Sequence, residues 1–179
     1  MTPVAHSGAP AKDEVALDPA PPGMRVGHIN LNVADLERAI AFYRDVLGLD
    51  VVQRAPSGRL AFLSVDGYHH HVALSTRWSL GGSPPPPGHT GMFHVAFVYP
   101  DRKALARAYQ RVAATGIKGI ARDHGVSEAL YFDDPDGNGV ELYWDCPPER
   151  WTYVDGGILN VAMIEEFDPK ILLAELDER

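Results

Sequence analysis

The segment from His124 to Glu141 reads HGVSEALYFDDPDGNGVE and ends on a carboxylate set inside an apolar run. Val140, Leu142 and Trp144 alternate with Glu141 and Tyr143. A lone glutamate in such a run faces the buried side or meets something that neutralises it. Burying a carboxylate without a partner costs on the order of several kcal/mol or more, so a metal ion is the natural partner. The other ligands are then sought among the histidines. His28 and His94 each open an alternating segment, and each precedes an aspartate, Asp35 or Asp101, by seven residues. Two imidazoles and one carboxylate make the donor set of a facial triad, which leaves coordination positions open and suits divalent iron, manganese, zinc or nickel. A strand histidine is more often a satisfied core or surface residue than a ligand. Three coincidences argue for ligation here: equivalent positions of the two histidines, a glutamate flanked by apolar residues, and a polar face on both strands.

The elements that must position these groups repeat. In residues 25–33, Ile29, Leu31 and Val33 share one face and His28, Asn30 and Asn32 the other, the alternation of a strand. Asp35 is a helix N-cap. Leu36, Ala39, Ile40, Tyr43, Val46 and Leu47 follow helical spacing, and Gly48 is a fitting stop. Strands follow at about 49–54, 59–65 and 70–76. The pattern restarts 66 residues on, with a strand over 92–99, a helix capped by Asp101 and ended by Gly116, and strands at 118–123, 127–133 and 139–144. This is a duplicated βαβββ unit. Paired symmetrically, the modules would bring His28 and His94 face to face across one cleft, with Glu141 on the last strand of the second. Aligning His71-Val72-Ala73-Leu74 with Gly139-Val140-Glu141-Leu142 puts Ala73 where a fourth ligand would stand. Alanine cannot ligate, so the site keeps room for substrate or a small gas.

The chain of 179 residues is expected to form one α+β domain over 24–146, with modules 24–77 and 91–146 and a Gly- and Pro-rich linker over 78–90. Residues 1–23 lack periodicity and are expected to be a disordered arm. Residues 147–179 are too apolar to lie free; they are expected to pack on the domain, on a partner subunit or over the pocket, with a short helix starting at Asp168-Pro169. The net charge of −8 speaks against nucleic acid as a partner. No run approaches the length of a membrane span, and no basic-then-apolar leader opens the chain, so a cytoplasmic setting is expected. The single cysteine, Cys146, excludes an internal disulfide and a cysteine-based zinc site. It lies at a strand end before Pro147-Pro148, a poor place for a nucleophile.

The duplicated unit with a histidine on its first strand resembles the vicinal oxygen chelate superfamily, which includes glyoxalase I, fosfomycin-resistance enzymes, bleomycin-binding proteins and extradiol dioxygenases. The segment His124–Glu141 resembles the signature of the type I extradiol ring-cleavage dioxygenases: His124, five residues, Leu130, Tyr131, then Asp134-Pro135-Asp136-Gly137 and, after a short gap, Glu141. Arg122 departs from it, standing where the family usually has a small or β-branched residue. Tyr68-His69-His70-His71-Val72-Ala73-Leu74 is similar to the family's His-His-x-x-Ala-Leu strand, which places a pocket acid/base on His70, with His71 as the alternative one residue away. The resemblance covers about 24–151 and points to the single-domain members of the family.

The resemblance implies mixed sheets curling around a metal-containing cavity. His28, His94 and Glu141 would bind Fe(II), with Mn(II) suited to the same ligands, and O2 would be the co-substrate. The substrate would be a small aromatic diol, cleaved beside its two hydroxyls. A neutral His70 would take a proton from the substrate and return it later, while His124 and Tyr131 would hydrogen-bond the substrate oxygen. A homo-oligomer, dimeric or larger, would help to enclose the site. A glyoxalase I-like lyase or a thiol transferase would instead want a fourth ligand at Ala73 and gives His124 and Tyr131 no role. A metal-free binding protein leaves all three ligands without a purpose.

Overall fold

The computed structural model describes residues 20–161 and 164–177, so the arm expected over 1–23 falls almost wholly outside the described residues. The first module is β1 (Ile29–Asn32), α1 (Leu36–Ala41), β2 (Asp50–Arg54), β3 (Leu60–Ser64) and β4 (Val72–Ser75). The second is β5 (Val95–Val98), α2 (Arg102–Ala114), β6 (Ile120–Asp123), β7 (Ser127–Asp133) and β8 (Gly139–Asp145). Both helix caps are in place: Asp35 accepts from the Arg38 backbone N–H at 3.0 Å and Asp101 from that of Ala104 at 2.6 Å, so each satisfies a donor that the first helical turn leaves open. Gly48 and Gly116, at φ +87 and +77, end the helical segments in the left-handed region that only glycine enters freely.

The two sheets have the same order. The first runs β1-β4-β3-β2 and the second β5-β8-β7-β6, with the opening strand parallel to the last and the other pairs antiparallel. The sheets are mixed and open, not closed into a barrel. The apolar faces of both, with α1 and α2, make one core that includes Leu31, Ile40, Leu63, Leu74, Leu105, Val140 and Leu142.

The first helix departs from expectation. It continues beyond Ala41 as a π-helical turn over Phe42–Val46. The wider turn lets Phe42 and Tyr43, adjacent in sequence, both bury their rings, at 6% and 0% exposure. The Tyr43 hydroxyl also reaches Asp134 at 3.0 Å.

The turn between β7 and β8 clamps the modules together. Asp134 accepts from the backbone N–H groups of Asp136 and Asn138 at 2.8 and 2.9 Å and so shapes the turn itself. Asp136 accepts from the Ala34 N–H at 3.0 Å and from Arg38 at 2.6 Å. On the other side, Arg111 of α2 donates to the carbonyls of Val46 and Leu47.

The C-terminal extension packs on the second module. After a small ribbon, β9 (Tyr153–Val154) with β10 (Ile158–Leu159), comes β11 (Glu165–Glu166), which pairs antiparallel with β6 and adds a fifth strand to the sheet. Asp168 then caps a 3-10 helix over Pro169–Leu176, and Leu172 of that helix is fully buried. Arg102, at the start of α2, joins Glu128 of β7 at 2.6 Å and also contacts Glu175 of this helix. Among the described residues no helix is long and apolar enough to cross a membrane.

Candidate functional site

His94 comes to its place through a close approach of backbones. It lies one residue before β5, beside Gly139 at the start of β8. A Cβ on Gly139 would stand 2.1 Å from the Phe93 carbonyl oxygen and 3.1 Å from the His94 Cβ, so only glycine lets β5 settle here. Glu141, two residues along β8, points to the same side, because successive strand residues alternate faces. Tyr131 of β7 lies directly opposite Glu141 in the ladder.

These side chains form a connected chain of polar contacts. His94 Nε2 is 2.9 Å from Glu141 Oε2. The Tyr131 hydroxyl donates to Glu141 Oε1 at 2.7 Å. His124 Nε2 lies 2.9 Å from the Tyr131 oxygen. Since the tyrosine proton goes to the carboxylate, the histidine is the donor in that last contact, which assigns its proton to Nε2. Glu141 is buried at 9% exposure, and its partners are therefore the hydrogen-bond donors that the apolar strand around it lacks. Burial, and then the bond to Glu141, push the Tyr131 pKa well above the ordinary tyrosine value, so the hydroxyl keeps its proton. His94 Nδ1 has no hydrogen-bond partner among the described residues, so Glu141 alone orients that ring by hydrogen bonding.

A cavity of about 510 Å³ opens on this chain, lined by Phe93, His94, Ile120, Arg122, His124, Tyr131 and Ile164. Ile164 belongs to the C-terminal extension, which thus reaches over the pocket as well as packing on the domain. Phe93 is 87% exposed and Ile164 61%, so the apolar rim stands open to solvent in the single chain.

His28 and His70 form a second group, on the first sheet. Their ring centroids are 4.4 Å apart, and Phe62 packs edge-on against His70 at 5.0 Å. Partial desolvation, and then the neighbouring His28, His69 and His71, hold the His70 pKa below the ordinary histidine value and favour its neutral form. His71 instead turns back to Ser64, with Nδ1 2.9 Å from the hydroxyl. Of the two histidines weighed as the pocket base, His70 is therefore the one beside His28.

Of the three side chains expected to meet across one cleft, the structure brings His94 and Glu141 into contact and sets His28 against His70. Among the described residues no three His, Cys, Asp or Glu side chains gather closely enough to hold a metal ion. His28 sits with the first sheet, His94 and Glu141 with the second. The modules are joined by contacts of the Asp134–Asp136 turn with Ala34 and Tyr43, and buried residues of both contribute to one core. His94 and Glu141 fit a metal well, since an imidazole nitrogen and a carboxylate oxygen, both metal-ligating atoms, face each other at 2.9 Å. They supply two of the three donors.

The ladder registers bear on the fourth position. Ala73 stands opposite Asn30 and Glu141 opposite Ala96, residues that are themselves 66 apart. Ala73 therefore occupies the place equivalent to Glu141. Cys146 is buried at 1% exposure, and burial pushes its thiol pKa up, so it is no nucleophile. Sequence reasoning missed the roles of Gly139 and Ile164. A glycine opening an otherwise apolar strand was the signal available for the first; nothing local marked the second.

Known proteins place this architecture. Residues 25–142 match the family model of the Glyoxalase/Bleomycin resistance protein/Dioxygenase superfamily. The chain is 40% identical over 126 residues to a catechol-2,3-dioxygenase of Bacillus subtilis (strain 168), an alignment covering 70% of this chain and 43% of that protein, so it spans less than half of that relative's length. It is 36% identical over 136 residues to biphenyl-2,3-diol 1,2-dioxygenase 3 of Rhodococcus globerulus, covering 74% of this chain and 70% of that one. A metallothiol transferase of Staphylococcus epidermidis (strain ATCC 12228 / FDA PCI 1200) is 29% identical over 146 residues, covering 79% and 96%. Among solved structures, a glyoxalase/dioxygenase from Nostoc punctiforme superposes with a TM-score of 0.59 at 28% identity, covering 73% of this chain and 98% of its own. With two-thirds of its length matched and the repeated βαβββ sheets in place, the chain belongs to the Glyoxalase/Bleomycin resistance protein/Dioxygenase superfamily.

Proposed function

We propose that the protein is an extradiol ring-cleavage dioxygenase, which inserts both atoms of O2 into a catechol-type ring next to its vicinal hydroxyls. The observation that carries this reading is the chain His124–Tyr131–Glu141, at 2.9 and 2.7 Å, on the wall of the cavity. The reading gives a task on the substrate oxygen to His124 and Tyr131, a histidine and a tyrosine donor beside the glutamate. The similarity to two proteins named as diol dioxygenases supports the same choice.

The metal of this reading is Fe(II), with Mn(II) suited to the same donors. Its ligands are His94, Glu141 and a His28 that comes from a second copy of the chain. β1 and β5 are both edge strands, so each half-site lies beside an open edge. A two-fold pairing that set the first sheet of one copy against the second sheet of the other would complete two identical sites at once. His70, in ring contact with His28, would arrive with it. The chemistry such a metal supplies is polarisation of the two hydroxyl oxygens and an open position for O2.

The chain's own residues do the rest. A neutral His70 accepts the proton released by a substrate hydroxyl and holds it for return to the product side. His124 Nε2–H and the Tyr131 hydroxyl are donors for the charge that builds on the substrate oxygen. Phe93, Ile120 and Ile164 line the cavity with apolar surface suited to an aromatic ring.

The test is reconstitution with Fe(II) under anaerobic conditions, followed by catechol and then air. A yellow ring-opened semialdehyde that forms only after air is admitted is the expected result. Catechol binding with no product, or product without oxygen, overturns the reading.

A further inference from the structure

Arg122 was the one position in the His124 segment at odds with the family pattern, and the proposed chemistry leaves it without a task. We propose that Arg122 is a specificity residue that selects aromatic diols carrying an anionic, carboxylate-bearing substituent. The inference rests on the dioxygenase reading, in which the two hydroxyls sit at His94 and Glu141.

The register of the second sheet places the guanidinium. Ile120, Arg122 and His124 follow one another at every second position, so they share the face that carries the site. Opposite Ile120 stands Tyr131 and opposite Arg122 stands Ala129. Ala129 in turn faces Tyr143 on β8. The row of Tyr131 and Glu141 carries the hydroxyl donor, His124 reaches that hydroxyl from two residues beyond Arg122, and the row between offers only the methyl of Ala129 between Arg122 and Tyr143. Two residues along a strand span about 6.6 Å, comparable to an aromatic ring with one substituent. A diol whose hydroxyls meet the His94–Glu141 end would extend its far side toward Arg122.

The electrostatics point the same way. Arg122 lines the cavity together with His94, His124 and Tyr131, while Phe93, Ile120 and Ile164 make the rest of the wall apolar. Its one described ion pair is with Glu166, its partner across the β6–β11 ladder, at 2.8 Å. Glu166 is 66% exposed and the Arg122 side chain 30%. A pair with so exposed a partner holds the side chain loosely, and the planar guanidinium has donors left for a second carboxylate in bidentate geometry. The C-terminal extension therefore positions Arg122 without using it up. With a net charge of −8 over the whole chain, long-range attraction would not bring an anion here; recognition must come from this local cation. Lys118, in the neighbouring recess beside His94 and Tyr131, is the competing cation.

The experiment compares 3,4-dihydroxyphenylacetate with neutral 4-ethylcatechol. Turnover is measured on Fe(II)-reconstituted protein, and binding is measured by calorimetry on metal-free protein. Wild type is expected to favour the carboxylate in both. Arg122→Met should lose roughly tenfold or more of kcat/KM and of affinity for the carboxylate, the scale of a hydrogen bond to a charged group, and leave the neutral diol nearly unchanged. Glu166→Gln breaks the same ion pair but keeps the cation, so it should raise the carboxylate preference severalfold; that separates loss of recognition from loosening of the extension. Lys118→Ala should change neither. An unchanged preference in Arg122→Met, an equal loss for both diols, or a preference that disappears with Lys118 overturns the inference. If neither diol is cleaved but the Arg122-dependent binding persists, the oxygenase reading fails and the anion subsite stands.

Discussion

The two modules share a backbone plan and differ in what they hang on it. In the second, Glu141 on β8 faces Tyr131 on β7; in the first, the same ladder positions carry Ala73 on β4 and Phe62 on β3. One side of the repeat thus concentrates a buried carboxylate, its hydroxyl donor and a histidine, His94. The other replaces acid by methyl and phenol by phenyl, and keeps two histidines that touch each other. Duplication supplies two equivalent strand openings, each with a histidine. Divergence then leaves one half-site charged and the other neutral and aromatic. An open metal site needs this asymmetry, because a second carboxylate at Ala73 would fill a position that substrate must use.

Breaking the charged half should have the largest effect. Glu141→Ala is expected to abolish both bound iron and turnover, checked by metal analysis of the purified protein. Retained stoichiometric iron would contradict the assignment. A sharper form mixes two inactive variants, Glu141→Ala and His28→Ala, after unfolding and refolding together. If sites form between copies, some pairs carry one intact His28 and one intact Glu141, and part of the activity returns. If no activity returns, His28 of a second copy is not the third ligand.

Breaking the neutral half comes next. His70→Ala should keep the iron and lose about 10²–10⁴-fold in kcat, the usual weight of a general acid or base, whereas His71→Ala should lose far less because His71 is tied to Ser64. The reverse order would move the base by one residue. Tyr131→Phe makes the second module resemble the first at that position; it should cost about 10²–10³-fold in kcat, as for other lost oxyanion donors, with iron content preserved. The smallest expected effect is that of Gly139→Ala, which pushes the Phe93 carbonyl and with it His94 away from Glu141. A misplacement of about 1 Å in a reacting group costs up to about 10²-fold, read here as reduced kcat with lowered iron affinity.

Much of this was legible in the sequence because it is written in short-range patterns. Alternation around His28 and His94, the caps at Asp35 and Asp101 and the stops at Gly48 and Gly116 are decided within a few residues, and they fix the repeated unit. The alignment of Ala73 with Glu141 followed from that repeat. What was not legible depends on long-range packing. The repeat says that the modules are equivalent, but not which faces they present to each other, and the clamp formed by Tyr43, Arg38, Asp134 and Asp136 joins residues about a hundred positions apart. The π-helical turn at Phe42 likewise reflects the need to bury two adjacent rings, a demand that helical spacing alone does not express. Ile164 reaches the pocket only because the extension adds β11 to an edge that local sequence does not reveal.

The central claim is the reaction, and the most direct test follows the oxygen atoms. Fe(II)-reconstituted protein is given catechol under O2 labelled with oxygen-18, and the ring-opened product is weighed by mass spectrometry after rapid trapping. The account predicts that both labelled atoms appear in the product. A product carrying one labelled atom or none would contradict it.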